Sequence, residues 1–137
     1  MFDGINIAST GLVAESLRLS LVANNLANAD TTVTPQNTPY RSEYAVFQSA
    51  PSASSGPNQG VGQGVIINGI YQSQSPFNVV YDPTSPKANA QGNVLYPNVN
   101  LQTQMVDMIE ASQAYQANVS AFNSAKAMDV KALTIGS

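Results

Sequence analysis

Few residues of this 137-residue chain have side chains that could take part in a reaction. The sequence has no histidine and no cysteine, which excludes imidazole and thiolate groups from catalysis and from metal binding. Asp107 and Glu110 are three residues apart, so a helix would bring their two carboxylates to one face. Such a pair can act as acid and base or hold a cation. A solvated helix face or an interface ion pair is the more common outcome, and it is the one we expect.

Two other short motifs have a better explanation than chemistry. The glycine-rich run 60–64 resembles a phosphate-binding loop, but it precedes a predicted strand instead of joining a strand to a helix. The tripeptide Asn118-Val119-Ser120 matches a glycosylation acceptor, but it lies in the middle of a predicted helix. The sequence therefore predicts no catalytic, cofactor-binding or metal-binding residue, no cofactor, and a protein that is not an enzyme.

Charge is scarce along the whole chain. Charged residues make up 9% of the sequence, whereas about 25% is usual for a soluble domain. No charged side chain occurs between Tyr44 and Tyr81. Either much of the surface is buried against partners, or it is covered by uncharged Asn, Gln, Ser and Thr. The net charge of −3 argues against binding to nucleic acid or to an anionic membrane surface.

The sequence also lacks the segments that direct proteins into or across membranes. It has no apolar run of 18 or more residues, which argues against direct membrane insertion. The first residues, Met1-Phe2-Asp3-Gly4, have neither the basic region nor the apolar core of a cleaved signal peptide. If the protein is exported, we expect a route that needs no cleaved signal.

Two long helices are predicted, one at each end. The first covers residues 3–29, where Ile5, Leu12, Leu19 and Leu26 are spaced seven apart. The second covers 99–134, where Leu101, Met108, Tyr115 and Phe122 have the same spacing. Two helices with a shared seven-residue rhythm can pair antiparallel as a coiled-coil-like stem.

Part of each apolar stripe is expected to form an intramolecular core, as is usual for such spacing. The opposite helix faces, however, have Ala, Asn, Gln and Ser instead of Lys and Glu, which favours burial between subunits. The predicted subunit-packing residues are Ile5, Leu12, Leu19, Val22, Leu26, Leu101, Met105, Met108, Ala111, Ala114, Tyr115, Val119 and Phe122.

The middle of the chain is different in kind. Residues 49–64 are rich in Gly, Ser and Pro and are predicted to be a flexible loop. Strands are predicted at 65–71, 77–81 and 93–96, with 40–47 as a candidate fourth. The predicted class is mainly α with a small β insertion: residues 1–34 and 98–137 form a helical stem, and 35–97 form a short β hairpin or sheet between the helices.

Several segments resemble one protein family. The run Ala23 to Thr31 contains Asn25-Leu26-Ala27-Asn28, and together with Gly11-Leu12 and Arg18 it resembles the N-terminal signature of the flagellar rod and hook proteins. Tyr96-Pro97-Asn98-Val99-Asn100 is similar to the proximal rod proteins of FlgC type within that family. The family-motif residues are Gly11, Asn25, Leu26, Ala27, Asn28, Tyr96, Pro97, Asn98 and Asn100.

The resemblance implies a structural subunit of the bacterial flagellar basal body. Its implied partners are its own copies, other rod proteins, the base-ring adaptor and the flagellar export apparatus. It implies assembly into a periplasmic drive shaft in diderm bacteria, where the rod transmits torque and forms part of the export channel.

Two alternatives come from other classes. A small ligand-binding or enzymatic module could use the β segment, but it needs a convergent set of polar residues that the sequence does not supply. A membrane-active amphipathic helix would need Lys, Arg and Trp along one helix, and this chain has no Trp and five basic residues.

Overall fold

The computed structural model describes residues 3–32, 38–51 and 63–135. Along the chain, one long helix comes first, four short strands follow, and a second long helix comes last. This is the predicted class, mainly α with a small β insertion. The elements are α1 Asp3–Ala27, β1 Glu43–Ser49, β2 Val65–Gln72, β3 Asn78–Tyr81, β4 Asn93–Tyr96 and α2 Leu101–Ile135.

The two helices pack against each other antiparallel. Asn25, near the end of α1, hydrogen-bonds to Gln104 near the start of α2. At the other end of the pair, a Cβ built on Gly4 would lie 3.4 Å from the Cβ of Ala125. α2 lies against α1 and against no other described helix or strand. Most of the surface of this 35-residue helix therefore has no partner within the described chain.

Small and polar residues line the contact between the helices. A Cβ on Gly11 would come within 2.9 Å of the Asn118 side-chain nitrogen, so this close approach depends on glycine. The residues that contact α2 include Gly4, Gly11, Arg18 and Asn25. These four residues are also spaced seven apart, but each one directly precedes a residue of the predicted apolar stripe. Ile5, Leu12, Leu19 and Leu26 are half-buried beside this contact.

The buried core is small. Its apolar members are Ala8, Ala14, Leu21, Val22, Val94, Val99 and Ala111, to which the fully buried Pro97 and Asn25 are added. Ala111 is the only buried residue of α2. Few large side chains are thus removed from water, and the single chain has little hydrophobic stabilisation of its own.

The strands form two separate antiparallel pairs, β1 with β2 and β3 with β4. The sequence predicted the strands but left their pairing open. Register in the first pair shifts between Val46 and Phe47, which marks a β-bulge. β1 and β2 lie against α1, whereas β3 and β4 lie against no other described helix or strand.

The predicted flexible loop is shorter than 49–64 at both ends. Ser49 belongs to β1 and pairs with Val65. The Ala50 amide donates to the Gly64 carbonyl at 2.8 Å and closes the hairpin. Gly64 has φ of +103°, which favours glycine at this position. The central part of the predicted loop, residues 52–62, lies outside the described residues.

Candidate assembly surface

Asn25 is the centre of a buried hydrogen-bond network that joins three elements. Its Nδ2 donates to the Glu43 carbonyl at 2.8 Å and to Gln104 Oε1 at 2.9 Å. Its Oδ1 accepts from the Tyr40 hydroxyl and from the Glu43 amide, both at 2.8 Å. The side chain is 2% exposed and uses both donors and both acceptor positions. Asn25 therefore fixes the end of α1 against β1 and the start of α2.

Tyr40 is held in its donating form within this network. Burial, and after it the negative charge of Glu43, raises the pKa of the Tyr40 hydroxyl. The phenol therefore remains protonated over the whole range in which proteins work, and its donation to Asn25 is independent of pH there.

A second polar joint ties the segment before β1 to the start of α2. Asn98 accepts from the Ser42 amide at 2.9 Å and donates to the carbonyls of Ser73 and Ser75. Arg41 donates to the same two carbonyls, and its guanidinium lies 4.3 Å from the centre of the Phe77 ring. This joint fixes the connection between β2 and β3 to the base of α2.

Asn100 begins α2. Its Oδ1 accepts from the Thr103 amide at 3.1 Å, which is the geometry of a helix N-cap. Pro97, three residues earlier, is fully buried, and its carbonyl accepts from Asn78 Nδ2 at 3.0 Å. Asn25 and Asn98 thus connect the stem to the β segment, and Asn100 caps the start of α2.

Near the middle of the two paired helices, a single arginine lies close to three carboxylates. Arg18 lies 3.6 Å from Asp107 and 3.4 Å from Glu110, and 3.9 Å from Glu15 on its own helix. Asp107 and Glu110 therefore form an ion-pair cluster between α1 and α2, in agreement with the ion-pair interpretation of their spacing. All three carboxylates face one cation, so the cluster has an excess of negative charge.

The exposed apolar side chains form the main unpartnered surface. On α2 they include Val106 and Ile109, which are 55% and 58% exposed, together with Ile135 at its end and five others towards either end of the helix. These five are Leu101, Met105, Met128, Val130 and Leu133. Ordinary solvent-facing helix surfaces have charged side chains in such positions. Exposed apolar side chains in this number favour a contact with another protein surface.

The predicted packing residues fall into three groups in the single chain. Val22 and Ala111 are buried, and Leu101, Met105 and Tyr115 are exposed. The others are half-buried: Ile5, Leu12, Leu19, Leu26, Met108, Ala114, Val119 and Phe122. Their packing between subunits stays a prediction. The sequence reasoning missed Val106 and Ile109, because they lie off the seven-residue stripe.

The described residues offer little that resembles an active site. They contain no group of His, Cys, Asp or Glu placed to hold a metal ion. A cavity of about 550 Å³ lies beside the start of α2, lined by Asn78, Asn98, Asn100 and neighbouring uncharged residues. Among the described helices, none is long and apolar enough to span a membrane.

Comparison with known proteins gives full-length relatives. The chain is 42% identical to the flagellar basal-body rod protein FlgC of Borreliella burgdorferi, across 98% of this chain and 97% of that protein. It is 41% identical to FlgC of Bacillus subtilis with the same coverage. With FlgC of Salmonella typhimurium it is 42% identical, across 96% of this chain and 94% of the relative. The chain belongs to the FlgC family of flagellar basal-body rod proteins.

Two family models match the parts of this FlgC-family chain that build the stem. The model described as flagella basal body rod protein matches residues 5–33, which include most of α1 and Asn25. The model described as flagellar basal body rod FlgEFG protein C-terminal matches residues 90–135, which include Asn98, Asn100 and α2. The central asparagines of both polar joints, Asn25 and Asn98, therefore lie in matched segments. The chain is a structural subunit of the flagellar basal-body rod.

Proposed function

We propose that this chain polymerises through its two terminal helices into the rod wall, where it transmits torque and lines part of the export channel. In this arrangement residues 1–34 and 98–137 form a tube-building stem, and residues 35–97 form an outward β segment. The stem packs against its own copies and against other rod proteins.

The observation that carries the proposal is how little of α2 is buried in the single chain. This 35-residue helix buries one residue in the single chain and exposes apolar side chains along its length. A helix covered on one side only gains most of its stability from packing that a monomer lacks. Neighbouring subunits in a helical wall supply that packing through contacts that repeat along the polymer.

The joints at Asn25 and Asn98 supply the stiffness that a drive shaft needs. Each one connects the stem to the β segment through several hydrogen bonds from one amide side chain. A twisting load applied to the stem is therefore passed to the β segment through fixed contacts, because close-packed, hydrogen-bonded groups yield little under strain.

The remaining parts of the proposal concern export and location. The subunit travels through the flagellar export apparatus without a cleaved signal peptide, meets the base-ring adaptor, and assembles in the periplasm of diderm bacteria. It binds no nucleic acid, as its net charge of −3 indicates, and it inserts in no membrane, since the sequence has no apolar run of 18 or more residues. It acts as a structural component and not as an enzyme, and the carboxylates of Asp107 and Glu110 serve an ion-pair cluster with Arg18.

Removal of the chain tests the proposal. Cells from which the gene is deleted should make the membrane-embedded base but no rod, hook or filament, and they should not swim. A plasmid copy of the gene should restore all three structures, and a plasmid that encodes a chain ending before α2 should not. Hooks of normal number in the deletion strain would overturn the proposal.

A further inference from the structure

The contact between α1 and α2 repeats every seven residues on both helices. Three of its pairs are Asn25 with Gln104, Gly11 with Asn118 and Gly4 with Ala125. A step of seven residues along α1 thus matches a step of seven along α2 in the opposite direction. By the same spacing Arg18 lies opposite Ala111, which is fully buried. We call these four pairs the stem layers.

The two glycine layers do not select one alignment of the helices. Gly4 and Gly11 have no side chain, so a small residue of α2 can lie opposite either of them. The seven-residue series of α2 continues beyond Ala125 to Ala132. A displacement of α2 by seven residues, about 10 Å along its axis, would place Ala125 opposite Gly11. Ala132 would then lie opposite Gly4. Both glycine layers would remain closely packed, and we call this alternative the displaced register.

The two polar layers distinguish the observed register from the displaced one. Arg18 lies 3.6 Å from Asp107 and 3.4 Å from Glu110 in the observed register. The displacement would move both carboxylates about 10 Å along the stem, out of ion-pair distance. It would also separate Asn25 Nδ2 from Gln104 Oε1, which are 2.9 Å apart. Of the two registers, the observed one is therefore the one in which α2 supplies partners to Arg18 and Asn25.

We propose that these two polar layers select the register of the stem. The glycine layers allow the helices to approach closely. The polar layers determine which residues face each other, because a polar side chain in a helix seam finds its partner in one alignment only. The effect on stability is small, since the Arg18 side chain is 33% exposed and exposed ion pairs contribute little. Two carboxylates of α2 serve Arg18, so the loss of Asp107 alone is tolerated.

The register decides how far α2 extends past the start of α1. In the observed register ten residues of α2, 126–135, follow the pair of Gly4 and Ala125. They add about 15 Å to the length of the stem. In the displaced register three residues would remain, which is less than one helical turn. This consequence rests on the proposed function, because copies of different length would not fit the contacts that repeat along a polymer.

Disulfide trapping reports the register without background, because the natural chain has no cysteine. Gly4→Cys with Ala125→Cys reports the observed register, since a Cβ at residue 4 would lie 3.4 Å from the Ala125 Cβ, near the separation in a disulfide. Gly4→Cys with Ala132→Cys reports the displaced register. Each pair is made in the purified full-length chain, oxidised at high dilution and analysed on a non-reducing gel. In the otherwise natural chain we expect the first pair to close and the second to remain open.

Arg18→Met with Gln104→Ala removes the selecting groups of both polar layers. In this double variant we expect the displaced pair to close at least about fivefold more than in the natural chain, with a matching decrease for the first pair. Arg18→Lys alone keeps the charge and should retain the observed register. Lys126→Met with Gln102→Ala is the matched control, because it removes a cation and a glutamine at exposed positions outside the stem layers. The control should leave both yields unchanged.

Closure of the first pair alone in the double variant would overturn the inference, since the Asn98 joint would then fix the register without the polar layers. Closure of both pairs, or of neither, in the natural chain would overturn it as well, because the layers would select nothing there. If circular dichroism shows that the double variant has lost its helices, Arg18→Met alone replaces it, with about a twofold increase expected. The oxidation uses isolated chains, so the deletion of the gene tests the proposed function separately.

Discussion

Replacement of Tyr115 by aspartate should leave cells without hooks and filaments while the protein is still made and exported at near-normal levels. Tyr115 is 38% exposed in the single chain, on the same helix face as the buried Ala111, so the free subunit tolerates a charge there. At a subunit contact the same charge would be buried without a partner, at a cost of several kcal/mol. That cost recurs at every copy of the polymer. Export precedes packing and does not depend on it.

Three variants on α2 separate this explanation from others. Tyr115→Phe keeps the apolar surface and should be mild. Gln116→Asp places the same charge on the next residue, which is exposed and polar, and should assemble. Asp107→Ala removes a member of the ion-pair cluster and should also assemble into a working rod, whereas a catalytic carboxylate would give an assembled but inactive structure. Normal swimming of Tyr115→Asp cells, checked by tracking and by counting hooks, would show that Tyr115 is not packed between subunits.

Asn25→Asp should destabilise the subunit and prevent rod assembly. The substitution keeps the size of the side chain but replaces the Nδ2 donor by an oxygen. That oxygen would face the Glu43 carbonyl and Gln104 Oε1, which now lie 2.8 and 2.9 Å from Nδ2. Two part-buried acceptors lose their donor, at a cost of up to about 1–3 kcal/mol each. The total is a large fraction of the stability of a small domain.

Asn24→Asp is the matched control for this prediction. Asn24 is exposed, and its Oδ1 accepts from Asn28 Nδ2, which an aspartate can also do. We expect this variant to form hooks at the normal frequency, whereas Asn25→Asp forms few or none. Thermal melting of the purified chains should show a lower midpoint for Asn25→Asp alone. Equal melting and equal hook counts for the two variants would contradict the role assigned to the buried amide.

The helices were predictable to within two residues at every boundary because their signals are local. The observed α1, Asp3–Ala27, compares with a predicted 3–29, and α2, Leu101–Ile135, with 99–134. Apolar spacing and the absence of Pro and Gly in α2 act within a few residues, and so does the Asn100 cap that the structure adds. The three strands predicted from β-branched residues also appear, since that preference is local too.

The contact between the helices was not predictable in detail. The apolar stripe that includes Leu12 suggested one register, but Gly11 faces α2 instead, because the absence of a side chain allows close approach to Asn118. Sequence spacing reports which residues avoid water and does not tell whether a neighbour in the same chain or in another covers them.

The network around Asn25 depends on partners that are distant in sequence. Tyr40, Glu43 and Gln104 are 15, 18 and 79 residues away from it. The family motif singled out Asn25 as important, but no local signal names its partners. The strand pairing was open for the same reason, since β1 and β2 are joined through the glycine-rich segment and their register depends on long-range contacts.

Electron cryo-microscopy of isolated basal bodies tests the central claim, that the stem is buried in the rod wall, most directly. The map should place copies of this chain in the rod, with α1 and α2 around the central channel and the β segment directed outwards. Val106 and Ile109, exposed in the single chain, should be in contact with neighbouring subunits. A rod without this chain, or one in which Val106 and Ile109 face solvent, would contradict the account.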